Sequence, residues 1–230
     1  MSTTAISGQS HAEYAIKRFD SGSSIITFSK GKCGLNVTII TARLFMRSVQ
    51  ATDVPCYAQL LDNEEVRTKY VSGKITLLSE IEEKINKVWA RRWGRDDPYS
   101  AFAVFVRQET PLFVGHIILG HGHRPGESEF DAFGYPAFWQ KKYDLEAATT
   151  IIREYAPITA SQNYLLKDNP LTRIVATANS DVMHRLLKGA GMKWMGPGEK
   201  FQEKGDYEID LTVTCSAEEE DEDLLQEMKR

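Results

Sequence analysis

Two carboxylates, Glu129 and Asp131, lie two residues apart in a segment with the composition of a short strand, Glu129 to Phe133. Successive side chains of a strand point to opposite faces, so these two are expected to share one face. A carboxylate can accept a proton from a reacting group directly or through one water molecule. Residues of this type could therefore serve in general-base catalysis if a reacting group lies near them. The alternative interpretation is a pair of ordinary surface residues at a strand edge.

The histidines and cysteines give no convincing metal site. His121 and His123 flank Gly122 on one side of an extended segment, and His116 lies in the strand before them. Zinc usually needs four ligands in tetrahedral arrangement, and no cysteine or carboxylate completes the set. The three cysteines are widely spaced and form no CxxC pair: Cys33, Cys56 and Cys215. We predict a polar loop, no metal, and reduced thiols in a cytoplasmic protein.

Charge is concentrated at the C-terminal end of the chain. The whole sequence has a formal net charge of −4 and no apolar run of about 20 residues that could span a bilayer. Six consecutive acids, from Glu218 to Asp223, predict a disordered acidic tail over residues 217–230. The remainder is not basic enough to indicate a nucleic-acid surface. No basic flank precedes an apolar stretch near Met1, so we expect no secretory signal.

Hydrophobic periodicity predicts the elements that must position these groups. The expected order is strand, two helices, three strands, helix, strand, helix and strand, which is a mixed α/β (α+β) fold around one sheet. The segments are 44–49, 53–61, a helix from Ser79, 101–107, 112–119, 129–133, 143–155, 173–178, 181–190 and 207–215. A turn composition at Asp20-Ser21-Gly22-Ser23 also predicts a hairpin within an N-terminal extension, residues 1–35.

Several short motifs in this order resemble the GNAT acetyltransferase superfamily, on the branch that acetylates the N-termini of ribosomal proteins. Thr41 to Arg47 (TARLFMR) is similar to the "T-E-R-L-x-L-R" opening strand, and Val114 to Leu119 to an "I-G-x-I-x-L" strand. Pro136 to Ala147 is similar to the cofactor-loop motif "P-E-Y-W-G-K-G-Y-A-T-E-A". Arg173 to Thr177 resembles an "R-I-x-A" strand. The resemblance implies a GNAT domain over residues 36–216, with a mostly antiparallel central sheet flanked by helices.

The resemblance also implies a site for acetyl-CoA. In the family, amides at the start of a helix bind the CoA pyrophosphate, and the pattern Gln/Arg-x-x-Gly-x-Gly/Ala falls here on Trp139, Lys142 and Asp144, which all differ from it. Lys141 and Lys142 could supply charge to the phosphates, whereas the Asp144 carboxylate would repel them. The implied cofactor-binding residues are Phe133, Gly134, Gln140, Lys141, Lys142, Tyr143, Asp144 and Ser180.

The resemblance assigns catalytic candidates as well. Glu129 aligns with the acidic residue of the family's "E-L-G-Y" strand, and Asp131 follows on the same face. The family helix that opens "N-x-x-S" has Met183 at the serine position here, and Met183 cannot protonate a thiolate. The adjacent His184 is the candidate acid in its place. The alternative for His184 is an imidazole at a helix edge with no role in catalysis.

These observations together predict an N-acetyltransferase that moves an acetyl group from acetyl-CoA to a primary amine, directly and without a metal. The acceptor could be a protein N-terminus or a small amine such as a polyamine or an antibiotic. The runner-up is a degenerate GNAT fold acting as a non-catalytic binding or regulatory module. We expect a monomer or homodimer with no nucleic-acid or membrane partner.

Overall fold

The computed structural model describes residues 15–70, 78–178, 180–197 and 205–212. Ten strands form one sheet in the order β1-β2-β3-β4-β5-β6-β7-β10-β12-β11, and β8 and β9 form a separate small hairpin. The strands are β1 (Ala15–Asp20), β2 (Ile25–Gly31), β3 (Gly34–Ile40), β4 (Leu44–Ser48), β5 (Ala101–Val106), β6 (Leu112–His121), β7 (Glu127–Gly134), β8 (Leu165–Leu166), β9 (Asn169–Pro170), β10 (Arg173–Thr177), β11 (Lys193–Pro197) and β12 (Gly205–Asp210).

The helices are short and two of them continue through π-helical turns. They are α1 (Val54–Asp62), α2 (Glu64–Tyr70), α3 (Leu78–Lys84), α4 (Ala90–Gly94), α5 (Pro136–Gln140), α6 (Tyr143–Thr150), α7 (Ala156–Ser161) and α8 (Asp181–Gly189). A 3₁₀ turn, Ala51–Asp53, precedes α1, and the π turns Ile85–Trp89 and Ile151–Tyr155 follow α3 and α6. Of the described helices, none is long and apolar enough to cross a membrane.

The two faces of the sheet carry different helices. On one face, here the α6 face, alternate residues such as Val37, Met46 and Phe102 pack against α6, the π turn after it and α8. On the other, here the α1 face, Ala101 and Ala103 pack against α1, α3 and the π turn that contains Trp89. The period-two alternation of the strands thus puts an apolar layer on each side. The predicted mixed α/β class with a mostly antiparallel sheet is confirmed.

Three antiparallel strands extend the sheet at its N-terminal edge. β1 pairs with β2 through a tight turn, β2 with β3, and β3 with β4. The turn between β1 and β2 is held by Glu154, whose carboxylate accepts hydrogen bonds from the hydroxyls of Ser23 at 2.9 Å and Ser24 at 2.5 Å. The boundary expected between residues 35 and 36 lies inside β3, because the ladder that begins at Gly34 runs on without interruption to Ile40.

The C-terminal strands differ from the sequence expectation. The strand expected over 207–215 ends at Asp210, whose Oδ1 accepts from the Thr212 amide at 2.8 Å and its hydroxyl at 2.6 Å, so the chain turns there. β11 was not expected, because Gly196 and Pro197 conceal any alternation. Cys215 and the acidic segment 217–230 lie outside the described residues.

Candidate active site

The central strands β7 and β10 separate immediately after Glu129. β7 and β10 run parallel and pair only from Glu127–Arg173 to Glu129–Val175. Beyond Glu129, β7 keeps its partner β6 as far as Gly134 and has no register with β10. Because the two strands are parallel, the chain segments that lead from β7 through α5 into α6 and from β10 into α8 both leave from this end of the sheet.

Gly134 closes β7 and makes room for an aromatic ring. A Cβ built on Gly134 would lie 2.4 Å from the Phe138 ring, and one built on Gly115 would lie 2.9 Å from it. Phe138 in α5 is fully buried, so both glycines let its ring pack flat on the sheet. Gly134 therefore has a packing role in this structure, whereas its neighbour Phe133 faces the α1 side, 4.6 Å from the ring of His116.

The loop into α6 keeps a glycine-like backbone without glycine. Lys142 has φ 56° and ψ 31°, the left-handed conformation that costs a non-glycine residue roughly 1–2 kcal/mol. Gln140, Lys141 and Lys142 are exposed, and Tyr143 is half-buried. Lys141 and Lys142 directly precede the first turn of α6, so two residues with cationic side chains come immediately before this helix start. Such a helix start suits an anionic ligand.

Asp144 places a carboxylate inside the first turn of α6. Its carboxylate is buried and accepts hydrogen bonds from the Leu145 amide at 2.8 Å and from its own amide. Burial raises the pKa of Asp144 to about 6, although these amides and the charge of Arg185 act in the opposite direction. An internal carboxylate thus occupies two of the amides that would otherwise be open to a phosphate.

Ser180 begins α8, the second helix entered from this end of the sheet. Its hydroxyl accepts a hydrogen bond from the Met183 amide at 3.2 Å, the arrangement of a helix N-cap. Met183 is buried in the core of the α6 face. Ser180 is thus placed by capping α8, and its predicted contact with a cofactor stays a prediction.

Glu129 and Asp131 share the α1 face, opposite the core residues Phe130 and Ala132. Asp131 remains accessible to solvent, yet surrounding protein atoms raise its pKa, against the effect of an amide hydrogen bond and of Lys84. The charge of Glu129 acts in the same direction as these atoms and also raises the pKa of Asp131. Glu129 lines a cleft of about 440 Å³ on the same face, together with Arg173, Asp206 and Glu208.

A buried pair that sequence reasoning missed lies beneath this surface. The Tyr57 hydroxyl is 2.6 Å from His116 Nδ1, and both side chains are fully buried. Burial lowers the pKa of His116 well below its ordinary value, so the imidazole is neutral. The rings of Trp89 and Phe133 enclose it at 4.5 and 4.6 Å. Among the described residues, its Nε2 has no hydrogen-bond partner.

His184 lies apart from the carboxylates. It is exposed on the first turns of α8, and its Nδ1 is 2.5 Å from the hydroxyl of Tyr207 in β12. Tyr207 pairs with Ala176, and both belong to the core of the α6 face, opposite to Glu129 and Asp131. The structure therefore brings Glu129 and Asp131 together and leaves His184 on the other side of the sheet.

A comparison with protein families decides the identity of the fold. The sequence model of the family described as "Acetyltransferase (GNAT) domain" matches residues 43–193. The chain belongs to the GNAT acetyltransferase family. The match begins inside the TARLFMR segment and runs to the start of β11, so it contains the point where β7 and β10 separate and the loop before α6. The protein is therefore an acyltransferase. No curated protein has a significantly similar sequence.

Solved structures share the fold of this GNAT protein at low sequence identity. A GNAT-family acetyltransferase from Bacillus anthracis is 20% identical, with a TM-score of 0.55 over 76% of this chain and 97% of its own. RimL, a ribosomal L7/L12 alpha-N-protein acetyltransferase solved with coenzyme A, is 11% identical, with a TM-score of 0.55 over 74% and 96%. A Vibrio cholerae spermidine N-acetyltransferase, solved with CoA and spermine, is 19% identical, with a TM-score of 0.50 over 75% and 98%. These identities establish the fold alone.

Proposed function

We propose that this GNAT protein transfers an acetyl group from acetyl-CoA to a primary amine, with Asp131 as the general base. The observation that carries the proposal is the position of Asp131 on β7, exposed to solvent and two residues beyond the last β7–β10 pair, where the surrounding protein raises its pKa. A base is most effective when its pKa approaches the working pH. Glu129 is the second carboxylate of the site and would orient the ammonium form of the acceptor.

The residues at the start of α6 fit the diphosphate of acetyl-CoA. Lys141 and Lys142 would supply positive charge, and the first amides of α6 would supply hydrogen bonds. Asp144 would have to yield the amides that it now occupies. Acetyl-CoA supplies the acetyl group as a thioester. The ammonium form first gives one proton to Asp131 through water. The free amine nitrogen then attacks the carbonyl carbon, the C–N bond forms as the C–S bond breaks, and CoA leaves as a thiolate that takes up the second proton from the attacking nitrogen.

The acceptor that we place first is a protein N-terminus. An α-amino group has a pKa of about 7.7–8.0, whereas an alkyl amine of the lysine type has a pKa of about 10.4. At neutral pH a larger fraction of an α-amine than of an alkyl amine is therefore deprotonated. A weak base such as a carboxylate is sufficient for the α-amine. The neighbours named above include one enzyme of each kind, for a protein α-amine and for spermidine. The motifs shared with the ribosomal-protein branch favour the first.

Titration calorimetry with acetyl-CoA tests the cofactor half of the proposal. We expect saturable binding, and a ligand at 100 times its Kd should stabilise the fold by about 2.7 kcal/mol. Lys142→Glu should weaken binding at least tenfold, whereas Lys32→Glu, which places the same charge change in the exposed turn between β2 and β3, should not. Absence of binding at millimolar acetyl-CoA would overturn the proposal in favour of a non-catalytic module.

Release of free CoA in the presence of acceptors tests the other half. Peptides with free and blocked N-termini, and spermidine, would be compared at equal concentration. Turnover that requires the free α-amine supports a protein N-terminus. Turnover with spermidine alone would overturn that choice of acceptor and leave the acetyltransferase itself in place.

A further inference from the structure

Two separate sequence motifs meet at the start of α6. Arg43 belongs to the TARLFMR segment, between β3 and β4, and its guanidinium crosses to the loop before α6. Nη1 donates to the Lys141 carbonyl at 2.9 Å, and Nη2 donates to the Lys142 carbonyl at 3.2 Å. Nε donates to Glu146 at 2.5 Å. One side chain therefore holds the loop and the helix that follows it.

Glu146 is the other half of this connection. Its Oε1 accepts from the Thr41 hydroxyl at 2.5 Å and from the Arg43 amide at 3.0 Å, while Oε2 accepts from the Arg43 side chain. Burial alone would raise the pKa of Glu146, but the hydrogen bonds from Thr41 and Arg43 outweigh it and lower the pKa. The carboxylate is therefore ionised at neutral pH and fixes both the backbone and the side chain of Arg43.

The Lys142 carbonyl accepts from Arg43 and, at 3.3 Å, from the Glu146 amide, so Arg43 and the first turn of α6 together set the direction of the loop amides. A trans peptide group points its carbonyl and its amide in opposite directions. Because the carbonyls of Lys141 and Lys142 point to the guanidinium, the Tyr143 amide, which shares a peptide group with the Lys142 carbonyl, points away from it. The left-handed backbone of Lys142 is part of the same arrangement, and glycine would adopt it without strain.

We propose that Arg43 is a positioning residue for acetyl-CoA, which holds Lys142 in the left-handed conformation and turns the first amides of α6 towards the cosubstrate. This inference rests on the proposed function. The guanidinium is committed to two carbonyls and a carboxylate and lies over the Tyr143 ring at 4.8 Å. Three of its five N–H groups are thus held by protein acceptors, and the role proposed for Arg43 is through the loop and not as a ligand of the phosphates. In this chain the contacts of the guanidinium support a backbone conformation that glycine would adopt without help.

A double-mutant cycle between Arg43 and Lys142 tests this role with CoA as the probe. Arg43→Ala should weaken CoA binding at least tenfold in the parent. In the Lys142→Gly background the same change should cost less than threefold, because glycine adopts the left-handed conformation without support. Arg43→Lys should resemble Arg43→Ala, since one ammonium group cannot bridge two carbonyls and a carboxylate. Arg91→Ala, at an exposed arginine of α4, is the matched control.

Kinetics separate positioning from a general loss of structure. Arg43→Ala should raise the KM for acetyl-CoA and leave kcat and the KM of the acceptor within about twofold. Parent protein that fails to bind CoA contradicts the proposed function. Parent protein that binds CoA while Arg43→Ala binds it within twofold overturns the inference alone. An equal loss in both Lys142 backgrounds would also overturn it, because that result identifies Arg43 as a direct ligand.

Discussion

β7 and the start of α6 each contain an aspartate whose pKa is raised by surrounding protein, and in the proposed function the two shifts have opposite consequences. Asp131 is open to solvent, and its raised pKa makes it a better base. Asp144 is buried on amides that a phosphate would use, and its charge opposes the ligand. In the proposed function, the same electrostatic cause would favour the chemistry at Asp131 and hinder the binding of acetyl-CoA at Asp144.

Removal of the base should give the largest effect. Asp131→Asn keeps the size of the side chain and removes its basicity, so kcat should fall by about 100-fold, within the range for a general base. The affinity for CoA should stay within twofold. Glu129→Gln, two residues earlier on the same face, is the matched control and should lower kcat less. A larger fall in kcat for Glu129→Gln than for Asp131→Asn would show that Glu129 is the base and Asp131 the second carboxylate.

Removal of the Asp144 charge, which would compete with the CoA phosphates for the helix amides, should have a smaller effect, namely a gain in CoA affinity. Asp144→Asn keeps an oxygen that can accept from the Leu145 amide, so the helix start is preserved. At pH 7.5 the variant should bind CoA two- to fivefold more tightly, which corresponds to about 0.5–1 kcal/mol at a helix terminus. A loss of affinity would show that the Asp144 carboxylate assists CoA binding. Asp144 and Asp131 would then both favour the function.

The effect of Asp144→Asn on the stability of the fold should depend on pH, because the folded protein shifts the pKa of Asp144. The folded protein raises the pKa of Asp144 from 3.8 to about 6, so the charged form is the disfavoured one. The destabilisation is present above pH 6 and is relieved as the pH falls towards 4. Asp144→Asn should therefore raise the free energy of unfolding by about 1–2 kcal/mol at pH 7.5 and by much less at pH 4. The variant and the parent share every other titrating group, so the difference between their free energies of unfolding isolates the contribution of Asp144.

The smallest effect is expected on the far side of the sheet. His184 contacts Tyr207, which belongs to the core of the α6 face, whereas Glu129 and Asp131 lie on the α1 face. His184→Ala should change kcat less than threefold, as measured by the release of CoA. A loss of tenfold or more, matched by Tyr207→Phe, would return His184 to the role of acid that the sequence predicted.

The sequence predicted the parts of this structure that depend on local periodicity. The buried stripe of α8, with Met183, Leu186 and Leu187, was predicted from 3.6-residue spacing, and the common face of Glu129 and Asp131 from the period of two. β11 was missed because glycine and proline interrupt its pattern. Arg43 and Glu146 are 103 residues apart, and Tyr57 and His116 are 59 apart, so their contacts depend on the assembled sheet. No spacing rule along one chain reveals such pairs.

The N-terminal strands have a consequence for the order in which the chain can fold during synthesis. Phe28 in β2 stacks on Tyr155 at 5.7 Å, and the turn before β2 is bound by Glu154, 131 residues after Ser23. At about 5–20 residues per second, the ribosome delivers those partners roughly ten seconds after the strands themselves. During that interval β1–β3 can pair locally while their apolar side stays uncovered. The exposed charges of Lys17 and Arg18 on the outermost strand disfavour pairing with another nascent chain.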